Sequence, residues 1–163
     1  MEDFDFAKFF KITLSVALLA GAGFVVFKWM HRNDDDKPVE HMWFYDLNTK
    51  KRFIALATEV PPIKTESGET ADGESAGVRA RVYGCGGCDE SKQFVAFLEK
   101  YTPEAIEAMS DDNPDHIKAM QGLVVAHPDR LEWVNPNGGE ARQIKVDAAA
   151  RCPDGVRAKP CYP

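Results

Sequence analysis

The sequence lacks the residue patterns that identify most families of enzymes and nucleic-acid-binding proteins. Its 163 residues contain no nucleophile elbow, phosphate-binding loop, dinucleotide-binding fingerprint or repeat of fixed period. The four histidines fall in neither the H-E-x-x-H nor the C-x-x-C-H pattern, and we interpret them as surface or turn residues. Lys and Arg number 20 against 26 Asp and Glu, which gives a net charge of −6. We therefore expect no nucleic-acid partner, because the chain has no basic stripe to offset a phosphate backbone. The lack of catalytic motifs favours a non-enzymatic role.

What is present begins with an uncharged apolar run near the N-terminus. Residues 12–27 read ITLSVALLAGAGFVVF, without Asp, Glu, Lys or Arg. As a helix this run would be about 24 Å long. Phe9, Phe10 and Trp29 extend its apolar length toward the thickness of the hydrocarbon core, which is about 30 Å. The sequence therefore predicts a short tail over 1–11 and one transmembrane helix over 12–30.

Two other interpretations of this run fit it less well. A buried core helix would show an amphipathic period, and none is present. A cleaved signal peptide would fit the small residues Ala20-Gly21-Ala22, but the apolar run continues to Phe27 and the preceding residues are acidic. Basic residues flank both ends of the run, so their count does not fix its orientation. Because a short tail is easily left in the cytoplasm, we expect a single-pass cell-membrane protein whose domain is extracytoplasmic.

Small residues form a stripe along one side of the predicted membrane helix. Thr13, Ala17 and Gly21 recur at intervals of four, which places them on one helical face. Such stripes let two membrane helices approach closely. We interpret these three residues as a helix–helix contact, so the expected partners are the membrane and other membrane proteins.

The remaining chain divides into a linker and one small domain. Residues 31–40 are charged, contain three consecutive Asp residues, and include Pro38, which ends any continuing helix. The domain is then 41–163, with a mobile loop over 64–77 that lacks large apolar side chains. We predict an α+β fold with a mainly antiparallel sheet, two or three helices and a C-terminal tail held by cysteines.

The hydrophobic patterns predict individual elements within this domain. The expected strands are a hairpin over 42–56, a strand over 78–83, and a strand pair at 123–126 and 131–134. The expected helices cover 91–101, 103–109 and 140–151, with a further helical turn at 115–120. The prediction of a helix over 91–101 is based on helical spacing of apolar residues, namely Phe94, Phe97, Leu98 and Tyr101.

The four cysteines form two close pairs with several possible chemistries. Cys85 and Cys88 lie in a glycine-rich C-x-x-C turn, and Cys152 and Cys161 lie in a proline-rich tail. All four could bind one structural zinc ion, since glycines let backbone amides turn toward the sulfurs. They could equally form two structural disulfides, within or between the pairs, if the domain lies outside the cytoplasm. In both interpretations the cysteines gather in one place and compensate for a small core.

A third interpretation is redox catalysis by Cys85 and Cys88. The expected order of strand, C-x-x-C and helix over 78–101 resembles the start of a thioredoxin-like unit. That resemblance implies a membrane-tethered thiol–disulfide oxidoreductase, which also requires a proline loop facing the thiols, and His127-Pro128 is the candidate here. The favoured function is instead a membrane-anchored accessory or interaction subunit of a larger membrane-associated assembly. The redox enzyme and a zinc-binding domain are the alternatives.

Overall fold

The computed structural model describes residues 39–110 and 116–163, together with Gly21 and Gly23, which are helical. The chain separates into two compact units, 1–38 and 39–163. The predicted tail, most of the predicted membrane helix and charged linker, and Thr13 and Ala17 of the stripe lie outside the described residues. Where the chain is described, no helix combines the length and the apolar character needed to cross a membrane.

The described part of unit 39–163 is a six-stranded sheet with three α-helices, which confirms the predicted α+β class. The strands are β1 (His41–Asp46), β2 (Lys51–Leu56), β3 (Gly77–Cys85), β4 (Gln93–Tyr101), β5 (Leu123–Ala126) and β6 (Ala158–Pro160). The helices are α1 (Pro103–Ser110), α2 (His116–Gln121) and α3 (Gly139–Ala150), and a short 3-10 helix spans Glu90–Lys92. All strand pairs are antiparallel in the order β2-β1-β3-β4-β5, and β6 pairs with β3.

The core lies on both faces of the central strands β3 and β4. One face carries Ala96 and Phe97 and is covered by Ala141, Ile144 and Ala148 of α3. The inward position predicted for Ile144 and Ala148 is confirmed, because they are 5% and 2% exposed. The other face groups the following buried residues: Val78, Ala80, Val82, Leu98 and Cys161, with Trp43 and Trp133 packed against them. Burial on both faces explains why β4 is an almost continuous apolar run.

The helix predicted over 91–101 is wrong: this segment is strand β4. The register between β3 and β4 shifts at Ala96, because Arg81 pairs with Phe97 while Val82 pairs with Val95. This β-bulge inserts one residue, so side chains three apart share a face of the sheet. Phe94 and Phe97 therefore lie on one face at the spacing expected of a helix.

Several shorter predictions can be compared directly with the structure. The hairpin over 42–56, the strand over 78–83, the strand over 123–126 and the helices over 103–109 and 140–151 are present with small shifts in their ends. The strand predicted over 131–134 is reduced to a single bridge between Val125 and Val134. A positive φ of 56° at Leu131 interrupts the extended backbone there.

The 64–77 loop is anchored to the β1–β2 turn by polar contacts. Ser67 Oγ donates to Asp46 Oδ1 at 2.8 Å, and Asn48 Nδ2 donates to the carbonyl of Glu69 at 3.1 Å. Asp46 Oδ1 also accepts from the backbone N–H groups of Asn48 and Thr49 at 2.9 and 3.1 Å. One carboxylate thus joins the hairpin turn to the loop. The predicted mobility of the loop stays a prediction.

Candidate functional site

The four cysteines form two disulfides that cross between the two motifs. Cys85 is bonded to Cys152 with a Cα–Cα distance of 5.3 Å, and Cys88 is bonded to Cys161 with a Cα–Cα distance of 5.5 Å. The disulfide prediction is therefore confirmed, and the connectivity is the interleaved one, first with third and second with fourth. Bonds within each pair, which the sequence also allowed, are not formed.

This pairing bears directly on the two other interpretations of the cysteines. No cysteine is free, so no thiolate remains to bind zinc. In the part of the chain that the structure describes, no group of three or more His, Cys, Asp or Glu side chains is placed to hold a metal ion. The zinc interpretation is therefore not supported. Cys85 and Cys88 are not bonded to each other, and only a three-residue 3-10 helix and then strand β4 follow them, where an α-helix was expected, so the local resemblance to a thioredoxin-like unit is lost.

The disulfides fix the C-terminal tail, which also forms a short strand. Tyr83, Gly84 and Cys85 of β3 pair with Pro160, Lys159 and Ala158 of β6. The backbone N–H of Cys161 donates to the carbonyl of Val82 at 2.8 Å. The cysteines, through disulfides or a zinc ion, were the only restraint that the sequence indicated for this tail. The added strand was missed because three residues around a proline carry no strand pattern.

The glycines of the Tyr83-Gly84-Cys85-Gly86-Gly87-Cys88 turn have a steric role. A Cβ on Gly84 would lie 2.0 Å from the carbonyl oxygen of Gly87 and 3.0 Å from Cys161 Sγ. Gly86 has a φ of +74°, which side chains rarely adopt. The glycine-rich turn is thus explained by the close approach of backbone to backbone and sulfur. The glycines do not need a metal to account for them.

In each disulfide the C-terminal cysteine is more buried than the N-terminal one. Cys152 and Cys161 are buried, at 9% and 4% exposed, Cys85 is half-buried, and Cys88 is exposed. Both C-terminal cysteines therefore act as core residues as well as cross-links. Cys161 belongs to the same buried cluster as Val82 and Leu98. This placement indicates a structural role for the distal pair.

A polar cluster that the sequence did not reveal lies beside the first disulfide. Arg151 immediately precedes Cys152, and its Nη1 donates to the carbonyl of Val95 at 3.3 Å, next to the bulge. Its Nη2 lies 3.3 Å from His127 Nε2 and 3.5 Å from Asp129 Oδ2. Arg151 also follows the last residue of α3, where a cation complements the helix dipole. It ties the end of α3, the 127–134 loop and β4 together. These contacts give the cluster a structural role.

Solvent-exposed apolar side chains mark a surface at the β1–β2 end of the domain. Ile54 and Leu56 of β2 are 52% and 51% exposed, and Val39 and Val60 nearby in the chain are 42% and 40% exposed. Of the three helix–helix contact residues predicted in the membrane span, Gly21 alone is described, in a helix and exposed. Comparison with known proteins adds no identity: no family model, curated protein or solved structure matches this chain.

Proposed function

We propose that this protein is a membrane-anchored accessory or interaction subunit of a larger membrane-associated assembly. The observation that carries the proposal is a pair of disulfides in a domain that follows an uncharged apolar run over 12–27. Disulfides form and persist in oxidising compartments such as the periplasm or the extracellular space. An apolar run of this length before such a domain is consistent with a single membrane span over 12–30 and an extracytoplasmic domain.

The use made of the cysteines favours interaction over catalysis. All four are consumed in cross-links, and two of them are buried core residues. The polar cluster around Arg151 holds three elements of the fold together. The exposed aliphatic residues of β2 are part of a surface that could bind another protein. Exposed apolar side chains grouped in one place are typical of protein–protein contacts.

Membrane fractionation tests the anchor. We expect the protein to stay in the pellet after a carbonate wash and to require detergent for extraction. Replacing both Leu18 and Leu19 with Asp should release it, since each charge at mid-bilayer costs about 2.5–3.5 kcal/mol. The matched control is the double substitution Met120→Asp and Val146→Asp, which adds the same charge at side chains 75% and 54% exposed. Wild-type protein in the carbonate supernatant would contradict the anchor.

Purification from native membranes tests the role as a subunit. Mild detergent extraction followed by mass spectrometry should recover the protein in stoichiometric complexes, and protease added outside the cytoplasm should reach the 41–163 domain. Recovery of the wild-type protein only as isolated monomers would contradict the proposal. So would a domain that the external protease cannot reach in intact cells.

A further inference from the structure

Among the residues that the structure describes, three strands pair on one side only, β2, β5 and β6, and β2 has the longest open edge, because β6 is three residues long and ends at Pro160. Strand β5 is covered on its outer side by a bridge, because Val125 and Val134 exchange two backbone hydrogen bonds of 2.9 and 2.8 Å. β2 has β1 on one side and no described strand on the other. An open strand edge is a template for pairing with another strand.

The register of the hairpin identifies which backbone groups of β2 point outward. Ala57 N–H donates to the carbonyl of Glu40 at 2.9 Å, so the odd-numbered residues of β2 form its hydrogen bonds to β1. In an antiparallel pair the two sets alternate, so Arg52, Ile54 and Leu56 direct their N–H and C=O groups away from β1. The carbonyl of Leu56 accepts a turn bond of 3.1 Å from Glu59 and keeps a second lone pair.

The side chains on this edge are unusual for an unpaired strand. Natural edge strands are shielded by charges, prolines or bulges. Here charge occurs only at the start of β2, in Lys51 and Arg52, and the Arg52 guanidinium is drawn back over the Trp43 ring at 5.0 Å. Ile54 and Leu56, whose backbone groups point outward, also expose half of their apolar surface.

We propose that the β2 edge pairs with the same edge of a second copy of this chain, antiparallel and centred on Ile54. The three outward-facing residues are symmetric about Ile54. A two-fold axis there places Ile54 opposite Ile54 and Arg52 opposite Leu56. Shifting the centre by one residue brings Lys50 or Thr58 into the ladder, and both lie in turns outside β2. Only the register centred on Ile54 uses all three outward residues.

The charges of β2 agree with this register. Lys51 falls opposite Ala57, Arg52 opposite Leu56, and Phe53 opposite Ala55, so no like charges oppose each other. The apolar side chains of Ile54 from the two copies meet at the axis. Such cross-strand apolar pairs are favourable, whereas facing like charges are unfavourable. The edge is therefore self-complementary in both hydrogen bonding and charge.

This inference rests on the proposed function, in which the domain serves interaction, and it names a second copy of the chain as one partner. Two chains held in the same membrane by spans over 12–30 would meet at a raised effective concentration. The two ideas fail separately. A chain released by carbonate that still pairs through β2 contradicts only the anchor, and a membrane-bound chain with an open edge contradicts only the pairing.

Amide hydrogen exchange of the full chain in detergent micelles tests the pairing residue by residue. The amides of Phe53 and Ala55 bond to β1 and should be protected at every concentration. Those of Ile54 and Leu56 should exchange about tenfold more slowly in samples that are mostly dimer than after dilution to monomer. Fast exchange at Ile54 and Leu56 in dimeric samples would overturn the proposal. Protection that survives dilution to monomer would overturn it as well, because a segment of the same chain would then cover the edge.

Charge substitution at the axis provides the matched test. Ile54→Lys places two cations opposite each other, and Ile54→Glu places two anions, so each variant alone should lose the concentration-dependent protection at Leu56. An equal mixture of the two should regain it. Val146→Lys is the control, since that side chain is 54% exposed on α3. Unchanged protection at Leu56 in Ile54→Lys would contradict the proposed register. Protection of the Phe53 and Ala55 amides shows that each variant is folded, and if it is, failure of the mixture to regain protection at Leu56 would also contradict the register.

Discussion

Cys88 is bonded to Cys161, 73 residues later in the chain, although Cys85 lies only three residues away. Cys85 is bonded instead to Cys152, across 67 residues. The two bonds hold the chain on either side of β6, which pairs with β3 between them. A tail with little apolar surface is thereby fixed to the middle of the sheet.

The interleaved bonds should stabilise the fold cooperatively. With Cys85–Cys152 intact, Cys88–Cys161 closes an effective loop of only about a dozen residues, worth about 3 kcal/mol on the chain-entropy account. We expect Cys88→Ser with Cys161→Ser to lower the free energy of unfolding by about 2–3 kcal/mol. Removing both bonds should cost more than the two single removals added, because the last bond closes the long loop. Urea titration measures each variant.

The redox alternative makes the opposite prediction for these variants. It requires Cys85 and Cys88 for activity and leaves Cys152 and Cys161 dispensable. Equal stability of the wild type and the Cys152→Ser, Cys161→Ser double variant, together with an intact tail under limited proteolysis, would contradict the structural role.

Gly84 should tolerate no side chain. In Gly84→Ala the new Cβ would lie 2.0 Å from the backbone oxygen of Gly87, so the turn between the cysteines must shift. We expect the free energy of unfolding to fall by about 1–3 kcal/mol, the usual cost of overpacking. Gly139→Ala is the control, because nothing lies within 4 Å of a Cβ there. Thermal denaturation of the two variants should separate them, and equal melting temperatures would show that the turn is not closely packed.

Acid should weaken the anchoring of the 64–77 loop through Asp46. Burial alone would raise the pKa of this carboxyl group, but hydrogen bonds from Ser67, Thr49 and Asn48 outweigh burial and hold the pKa below its usual value of 3.8. A pKa lowered on folding adds stability that is fully present above the unfolded value and is lost as the pH falls through the folded value. In Asp46→Asn this contribution is absent, so the stability difference from wild type should shrink below about pH 4.

Urea titrations of wild type and Asp46→Asn between pH 7 and pH 2 measure this difference. Asp154→Asn, at an exposed position, serves as the control. A difference between wild type and Asp46→Asn that stays constant into acid would show that the ionised carboxylate is not what holds the loop.

Phe97→Ala should destabilise the domain by about 3–5 kcal/mol. The ring is 6% exposed and lies in the cluster that joins β4 to Ile144 and Ala148 of α3, so its removal leaves a cavity. Tyr162→Ala is the control, since that ring is 52% exposed. Chemical denaturation gives both values, and a small effect at Phe97 would show that α3 does not pack on the sheet there.

The sequence predicts much of this fold because most of its elements carry local signals. The hairpin has apolar arms around a polar turn, and α3 has inward residues at helical spacing. The 91–101 segment misleads because a bulge at Ala96 produces the i, i+3 spacing of a helix within a strand. A bulge has no signature in a single sequence, so strand and helix cannot be separated there by periodicity.

The cysteine site was predictable in kind and not in detail. Glycine and proline around Cys85, Cys88, Cys152 and Cys161 indicate turns that a cross-link can hold. Connectivity depends on which turns the sheet brings together, and four cysteines allow three pairings. The cluster around Arg151 has no sequence signal either, because its partners come from β4 and from the 127–134 loop.

The connectivity of the disulfides tests the central claim most directly. Trypsin digestion without reduction should leave one species of three linked peptides, 82–92, 152–157 and 158–163, because Cys85 and Cys88 share a peptide while Cys152 and Cys161 do not. Fragmentation of that species should assign Cys85 to Cys152 and Cys88 to Cys161. A closed loop within 82–92, with 152–157 joined to 158–163, would contradict the interleaved cross-link and restore Cys85 and Cys88 as a possible redox pair.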